Sequence, residues 1–331
     1  MSSPVASART EIHCHLLPGI DDGARDLDDS VEMAAVAAAD GTGTILATPH
    51  VRSDFVTDVS ILPELVEELR GTLARARLEV EVHCSGELGH ELVGRLGQLE
   101  LETIASGPPG RRWLLVEAPF DGLGDEFAAA TGELRARGFG VVIAHPERSP
   151  GVLDGHCEAL GREIRRGSLL QVNQWSLTGG HGAEAESAGL ALLRQGRVAV
   201  LASDSHPGWR RPTLSVGAAA ARAAGLDAGS AALLVTDRPA RLVHEGMSAP
   251  VASAARAGAG AASCRAAASG AAGSYYRRPP ASASVPFPSG ESGTSVPSPK
   301  GGSSTCPPVP DAAIGSSPRP ESPSSGSGWK R

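Results

Sequence analysis

Residues 10–245 alternate between short, continuous apolar runs and longer stretches with helical spacing. The runs predict seven strands, at 10–16, 44–48, 79–84, 113–117, 140–144, 169–173 and 198–203. Helices are predicted between them at 27–40, 62–77, 126–137, 156–166 and 184–195. Gly41, Gly138, Gly167 and Gly196 each follow one of these stretches, where glycine takes up the left-handed conformation that closes a helix at no steric cost. Alternating strand and helix is the pattern of a parallel sheet. Runs such as Val141-Val142-Ile143-Ala144 have no polar side, as a strand covered on both faces requires. About 250 residues is the usual size of a single α/β barrel.

Composition changes this picture only at the C-terminal end. From Ser248 onward, 60 of 84 residues are Ala, Ser, Gly or Pro, too little apolar surface to offset the chain entropy of folding. Three segments are therefore expected: an N-terminal extension (1–9), one α/β domain (10–246) and a disordered tail (247–331). The formal charge of −7 divides unevenly, because the tail is basic and the body carries about −12. Such a body lacks the basic stripe that replaces phosphate counterions, so nucleic acid is not an expected partner unless bound cations invert the local sign. No apolar run approaches the ~18 residues that span a bilayer, and the first ten residues hold no signal-peptide segment. No membrane insertion and a cytoplasmic location are expected. Five scattered cysteines, Cys14, Cys84, Cys157, Cys264 and Cys306, form no Cys-x-x-Cys pair and argue against a disulfide framework or a zinc knuckle.

The polar residues that interrupt the apolar runs fall at the strand ends. His13 and His15 close the first run, His50 follows the second, Glu87 the third, Glu117 ends the fourth, His145 the fifth, and Asp204 and His206 follow the seventh. In a parallel barrel these ends share one face, where active sites are built. His13 and His15, spaced i and i+2, project to one side of their strand. With Asp21 and Asp22 they make a nitrogen and oxygen donor set without thiolate, suited to Mn, Fe or Zn. Taken singly, each of these residues is better explained as a hydrogen-bonded strand end; eight at the same end of successive strands are not. So many donors exceed one tetrahedral site, and two or three ions are expected. Arg148, three residues after His145, and Arg211, five after His206, can fork onto phosphate oxygens at that face, with Arg210 an alternative to Arg211. His181 lies in a glycine-rich loop after the sixth strand that could touch substrate, and Trp175 and Trp209 follow strand ends where packing is the simpler role.

Five blocks carry a family resemblance: Glu11-Ile-His-Cys-His-Leu-Leu-Pro-Gly-Ile-Asp-Asp-Gly-Ala24, Ala47-Thr-Pro-His50, Leu115-Val-Glu-Ala-Pro-Phe120, Ile143-Ala-His-Pro-Glu-Arg148 and Leu201-Ala-Ser-Asp-Ser-His206. They resemble the PHP-domain (polymerase and histidinol phosphatase) superfamily and, within it, the bacterial manganese-dependent protein-tyrosine phosphatases found with capsule and exopolysaccharide genes. The resemblance implies an α/β fold of the PHP type, a distorted (β/α)7 TIM-like barrel, with a trinuclear metal centre. It implies as ligands His13, His15, Asp22, His50, Glu87, Glu117, His145, Asp204 and His206, with Glu117 bridging, and Arg148 and Arg211 as phosphate-binding residues. It also implies three divalent ions, with Mn foremost and Fe or Zn as alternatives. The partner it implies is a phosphotyrosine protein, in particular a bacterial tyrosine kinase of exopolysaccharide or capsule synthesis. Two positions depart from the family pattern or match it weakly: Glu11 stands where Asp is usual, and Glu87 lies in a looser local match.

The expected reaction is hydrolysis of a phosphate monoester by a metal-activated hydroxide, with ions and arginines neutralising charge on the transferring group. A thiol mechanism is disfavoured, because no cysteine is followed six positions later by arginine. Cys14, between two ligand candidates, is expected to face away and pack as an apolar residue. The carbamyl-lysine route of related amidohydrolases is closed, since the only lysines are Lys300 and Lys330. The nearest rival is a small-molecule phosphoesterase such as a histidinol-phosphate phosphatase. A TatD-type nuclease and a non-catalytic binding module rank lower.

Overall fold

A computed structural model of the chain describes residues 8–152 and 158–247. The expectations for the N-terminal extension up to residue 7, for the tail from 248, for the first two residues of the 156–166 helix and for Cys157, Cys264 and Cys306 lie outside those residues. In chain order the elements are β1 (Arg9–Cys14), α1 (Leu27–Ala39), β2 (Thr42–Ala47), β3 (His50–Val51), α2 (Leu62–Arg75), β4 (Glu81–Cys84), β5 (Glu87–Leu88), α3 (Gln98–Ile104), β6 (Trp113–Glu117), α4 (Asp125–Ala136), β7 (Gly140–Ala144), α5 (Glu158–Arg165), β8 (Leu169–Asn173), α6 (Ala183–Arg194) and β9 (Val198–Ala202). After β9 come α7 (Leu214–Ala223), α8 (Ala228–Leu233) and α9 (Asp237–Glu245). The alternation expected from the sequence is therefore present. The helices 98–104 and those after β9 were not among the expected ones; 98–104 and 228–233 are short, and 214–223 is rich in alanine.

All pairings between these strands are parallel, in the orders β1-β2-β4 and β3-β5-β6-β7-β8-β9. Two of the seven runs continue past the ends expected for them after a break, β2 into β3 across Thr48-Pro49 and β4 into β5 across Ser85-Gly86. Proline has no N–H to offer the ladder. Gly86 is needed because a Cβ there would lie 2.8 Å from Val51 Cγ2. The strands nevertheless stay aligned across the break through Ser85 N–H to the Ala47 carbonyl (3.0 Å) and Glu87 N–H to the Pro49 carbonyl (2.9 Å). The first and last runs meet at a parallel bridge between Cys14 and Ser205, with Asp204 N–H donating to the His13 carbonyl and His15 N–H to that of Ser205. The result is a distorted, TIM-like α/β barrel of seven runs. Among the described residues no helix is long and apolar enough to cross a membrane.

Apolar side chains form two cores. The larger lies between strands and outer helices and includes Cys14, fully buried on that outer side, away from its neighbours His13 and His15. The smaller fills the barrel with Ile12, Leu46, Trp113, Leu115, Val142, Ala144, Val200 and Ala202, and is closed from below by Leu242 and Met247. Trp113 anchors this plug by donating its indole N–H to the Leu242 carbonyl at 2.8 Å. Packing reaches one residue past the expected domain limits at each end. Arg9 already belongs to β1, and Met247 lies under the barrel with its N–H on the Arg111 carbonyl.

The plug can be tested by truncating its anchor. Trp113→Ala should cost roughly 3–5 kcal/mol of stability, whereas Trp113→Phe should cost roughly 1–2, mostly from the stranded Leu242 carbonyl. Urea unfolding of the full chain measures both, and a Trp113→Ala protein within about 1 kcal/mol of the parent would contradict the assignment.

Candidate metal centre

A bulge in β1 aims the first two histidines. Between the pairs Glu11↔Ile45 and Cys14↔Ala47, β1 has two intervening residues where β2 has one. Such an insertion re-aims side chains, and here Ile12 enters the barrel core while His13 joins the polar cluster above it. Glu11 ties the bulge down, accepting from His13 N–H (2.9 Å) and Ser203 N–H (3.0 Å). Burial pushes the pKa of this carboxyl up to about 7. Two further candidates sit on strained backbone: His145 has φ of 35° and Asp204 φ of 50°. Among the described residues only Arg77 is otherwise non-glycine with positive φ. Strain of this kind persists where the surroundings enforce it and concentrates at functional sites.

All nine residues expected as ligands converge at this end of the barrel. They fall into four overlapping groups of facing donor atoms: His15, Asp22, His50 and His206; His13, Glu87 and His145; His13, His15 and Asp204; and His50, Glu87 and Glu117. His13, His15, His50 and Glu87 each belong to two groups, so the groups form one continuous cluster. Glu87 has no exposed surface, and only Asp22 of the nine stands well out at the mouth. His13 Nε2 lies 3.2 Å from His15 Nε2 and 3.2 Å from Glu87 Oε2.

The protonation of the rings follows from their partners. Asp204 accepts only, so Asn173 must turn its amide N–H to it (2.7 Å), which leaves the Asn173 oxygen to accept from Gln171 (2.7 Å). The Gln171 oxygen then faces His13 Nδ1 at 3.0 Å and requires a proton there. His15 Nδ1–H donates to Asp21 (2.8 Å) and His206 Nδ1–H to the Asp204 carbonyl (3.0 Å). Thus three rings spend Nδ1 on orientation and turn Nε2 inward, the arrangement by which outer groups fix metal-ligating imidazoles. Asp21 also accepts from the backbone N–H of Gly23 and of His50. Glycine at 23 is required because a Cβ would stand 2.4 Å from His15 Cβ.

Charge in the cluster is not balanced by ordinary hydrogen bonds. His50 Nδ1 stands 2.9 Å from Glu87 Oε2, but the two are not aligned for a hydrogen bond, and both atoms are buried without a hydrogen-bond partner. His145 Nδ1 is likewise buried and unpartnered. Burial opposes charge on His13, yet Glu87 and Asp204 outweigh it and hold the ring above the usual imidazole range. Burial and the charge of Glu87 push Glu117 up to about 7, while burial drives His145 down to about 4. Buried donors with inward lone pairs and an orphaned carboxylate oxygen, Glu87 Oε2, suit bound divalent cations, and this donor set fits them.

Arginines meet the cluster from two sides. Arg148 donates to Asp204 at 3.2 Å, and the buried Arg210 donates to the same oxygen. Arg211, expected at this face, is instead exposed and lines a cavity of about 380 Å3 beside His206. The cause is local: His206 N–H and Ser205 Oγ–H both donate to the Arg210 carbonyl, a tight turn with Arg210 paired to Asp204 inside it. On the other side Arg52 donates to both oxygens of Glu117 at 3.1 and 2.9 Å. His181 is half-buried, held on Ser176 at 2.9 Å, and its pKa is pushed to about 3 by burial and by Arg148 and Arg210.

Sequence reasoning missed Gln171 and Asn173, the polar pair at i and i+2 of an otherwise apolar β8, the one run to which it assigned no site residue. It also missed Arg52, which follows the Ala47-Thr-Pro-His50 block by two positions.

The capsular polysaccharide synthesis CpsB/CapC family matches residues 9–244. Tyrosine-protein phosphatase YwqE of Bacillus subtilis is 30% identical over 203 residues, 59% of this chain and 76% of that protein. CapC of Staphylococcus aureus is 25% identical over 205 residues, covering 61% and 78%. Among solved structures, one from a study of YwqE from Bacillus subtilis and CpsB from Streptococcus pneumoniae, described as metal-dependent tyrosine phosphatases, superposes with a TM-score of 0.61 at 26% identity. It covers 71% of this chain and 94% of its own.

Asp21 offers a test of the orienting shell, because it touches His15 rather than filling a facing donor position itself. Asp21→Asn should weaken Mn2+ binding by about 10- to 100-fold with the fold intact; an unchanged affinity by calorimetric titration would show that the His15 ring needs no such support.

Proposed function

Because the chain belongs to the capsular polysaccharide synthesis CpsB/CapC family, we propose that it is a metal-dependent phosphoric monoester hydrolase acting on phosphotyrosine in proteins. The observation that carries this reading is the buried cluster itself, in which imidazole nitrogens and carboxylates, one oxygen of Glu87 unpartnered, converge beside two arginines. The relatives named as tyrosine phosphatases support the substrate class.

In this reading His13, His15, Asp22, His50, Glu87, Glu117, His145, Asp204 and His206 hold three divalent ions, Mn2+ in first place and Fe or Zn as alternatives. Bound ions supply Lewis acidity toward phosphate oxygens and bring the pKa of water toward neutrality. The chain's own residues do the rest. Gln171, Asp21 and the Asp204 carbonyl occupy Nδ1 on three rings, so that Nε2 is the nitrogen each ring would offer an ion. Arg148 and Arg210 share an acceptor, Asp204 Oδ2, and a phosphate dianion that displaced it would receive both guanidinium groups on its non-bridging oxygens. Arg211 stands at the mouth of the adjoining cavity, where it meets the flanks of a protein substrate. The reaction needs no covalent phosphoenzyme. The two described cysteines fit that: Cys14 is fully buried, and burial pushes the Cys84 thiol up to about 11.

The catalytic domain spans 9–247 in this proposal, with the physiological substrate a bacterial tyrosine kinase of capsule or exopolysaccharide synthesis and the reaction in the cytoplasm.

Chelation separates this mechanism from a thiol one. EDTA should lower turnover of a phosphotyrosine peptide at least about 100-fold and Mn2+ should restore it, while iodoacetamide leaves it within about twofold. Activity that survives exhaustive chelation would overturn the proposal. Arg148→Ala and Arg210→Ala should each lower kcat/KM by about 100-fold, and Arg211→Ala by less than about tenfold; the reverse order for 210 and 211 would restore the role first expected for Arg211.

A further inference from the structure

Seven phenylalanine and tryptophan residues fall within the described part of the chain, and their exposure follows a pattern. Trp113, Phe127 and Phe139 are fully buried, and Trp175 is half-buried. The three that remain exposed, Phe55 (37%), Phe120 (49%) and Trp209 (60%), each lie against a candidate ligand ring or a phosphate-side arginine. Phe55 stacks on His50 with ring centroids 5.2 Å apart and planes 16° from parallel. Phe120 stands 6.1 Å from His145, 5° from parallel, and the Arg148 guanidinium sits 4.8 Å from its centroid. Trp209 lies 5.2 Å from the Arg210 guanidinium. Exposed aromatic rings scattered at random over a surface would carry no meaning, but these are confined to one end of the barrel.

We propose that Phe120 and Phe55 are specificity-determining residues, forming an aromatic wall that receives the ring of an aryl phosphate and so favours it over alkyl phosphates. The inference rests on the phosphatase reading above and deepens it. Arg148 contacts both halves of the argument: its guanidinium reaches the Asp204 oxygen that a phosphate would replace, and it packs on Phe120. An anion held by Arg148 therefore has an aromatic surface immediately beside it. A cavity of about 380 Å3 opens there, lined by Glu117, Pro119, Phe120 and Arg52, and Arg52 in turn lies 5.9 Å from the Phe55 centroid. A phenyl ring fits that volume and finds offset or edge contacts on one side and a guanidinium face on the other, the geometries that aromatic groups prefer. The side chain of a phosphoserine is too short to bring any apolar surface to the wall.

Both phenylalanines are substantially exposed, so truncation opens no cavity in the core and the variants should fold. The test uses the full chain loaded with Mn2+ and two non-hydrolysable probes, phenylphosphonate and methylphosphonate, with affinity read by calorimetry. The parent protein should bind phenylphosphonate about tenfold or more tighter than methylphosphonate. Phe120→Ala and Phe55→Ala should each reduce that ratio by about three- to tenfold, the double variant should bring it close to one, and Phe120→Tyr should keep it. A ratio unchanged in the double variant, or two probes weakened in parallel, would overturn the wall. Turnover of a phosphotyrosine peptide, followed alongside, keeps the two readings apart. In the variants KM should rise with kcat retained. An intact probe preference with no turnover in the parent would sink the phosphatase assignment and leave the wall standing.

Discussion

A carboxylate with no exposed surface must find compensating positive charge, and Glu87 is in that position with four imidazoles around it, those of His13, His15, His50 and His145, and no guanidinium. Removing such a group from water costs several kcal/mol unless it is paired and hydrogen-bonded. Here one of its oxygens has no hydrogen-bond partner. The arrangement makes sense as half of a coordination sphere. Glu117 and Asp204 show the same need in another way, since each is met by arginine: Arg52 on the first, Arg148 and Arg210 on the second. Where cations enter, these guanidinium groups are freed to face an anion, and an acidic body becomes able to attract a phosphate.

The barrel supplies this crowding of charge through local departures from regular structure. A bulge in β1 turns His13 inward, breaks at Thr48-Pro49 and Ser85-Gly86 deliver His50 and Glu87 to the same level, and left-handed backbone at His145 and Asp204 brings in the rest. Beneath them the apolar filling and the Leu242 and Met247 plug hold the strands rigid. Regular strands would alternate their side chains and send some of these donors to the helix side. The irregularities are therefore part of how the site is built, and the hydrogen bonds of Glu11 and Asp21 hold them in place.

Much of this was legible in the sequence, because strands buried on both faces leave long apolar runs and any polar residue ending one is conspicuous. That logic found the seven runs and eight of the converging donors, while the ninth, Asp22, was singled out from Asp21 only by the family resemblance. It faltered where the signal is conformational. Whether Arg210 or Arg211 turns inward depends on a backbone turn that composition does not encode, and Gln171 and Asn173 read as ordinary polar residues until Asp204 dictates the direction of their amides. The first two helices after β9 are rich in alanine, which packs closely but gives weak contrast between their faces. Phe55 and Phe120 looked like members of matched or neighbouring loops, and only their exposure beside His50 and His145 distinguishes them from core residues.

The claim that buried carboxylates and inward-facing imidazoles are completed by several cations meets its most direct test in elemental analysis of the purified full chain reconstituted with Mn2+. The account predicts three equivalents of metal per chain, falling to about one in Glu87→Ala, since Glu87 joins two of the donor groups. One equivalent or none in the parent protein, or an undiminished content in the variant, would contradict it.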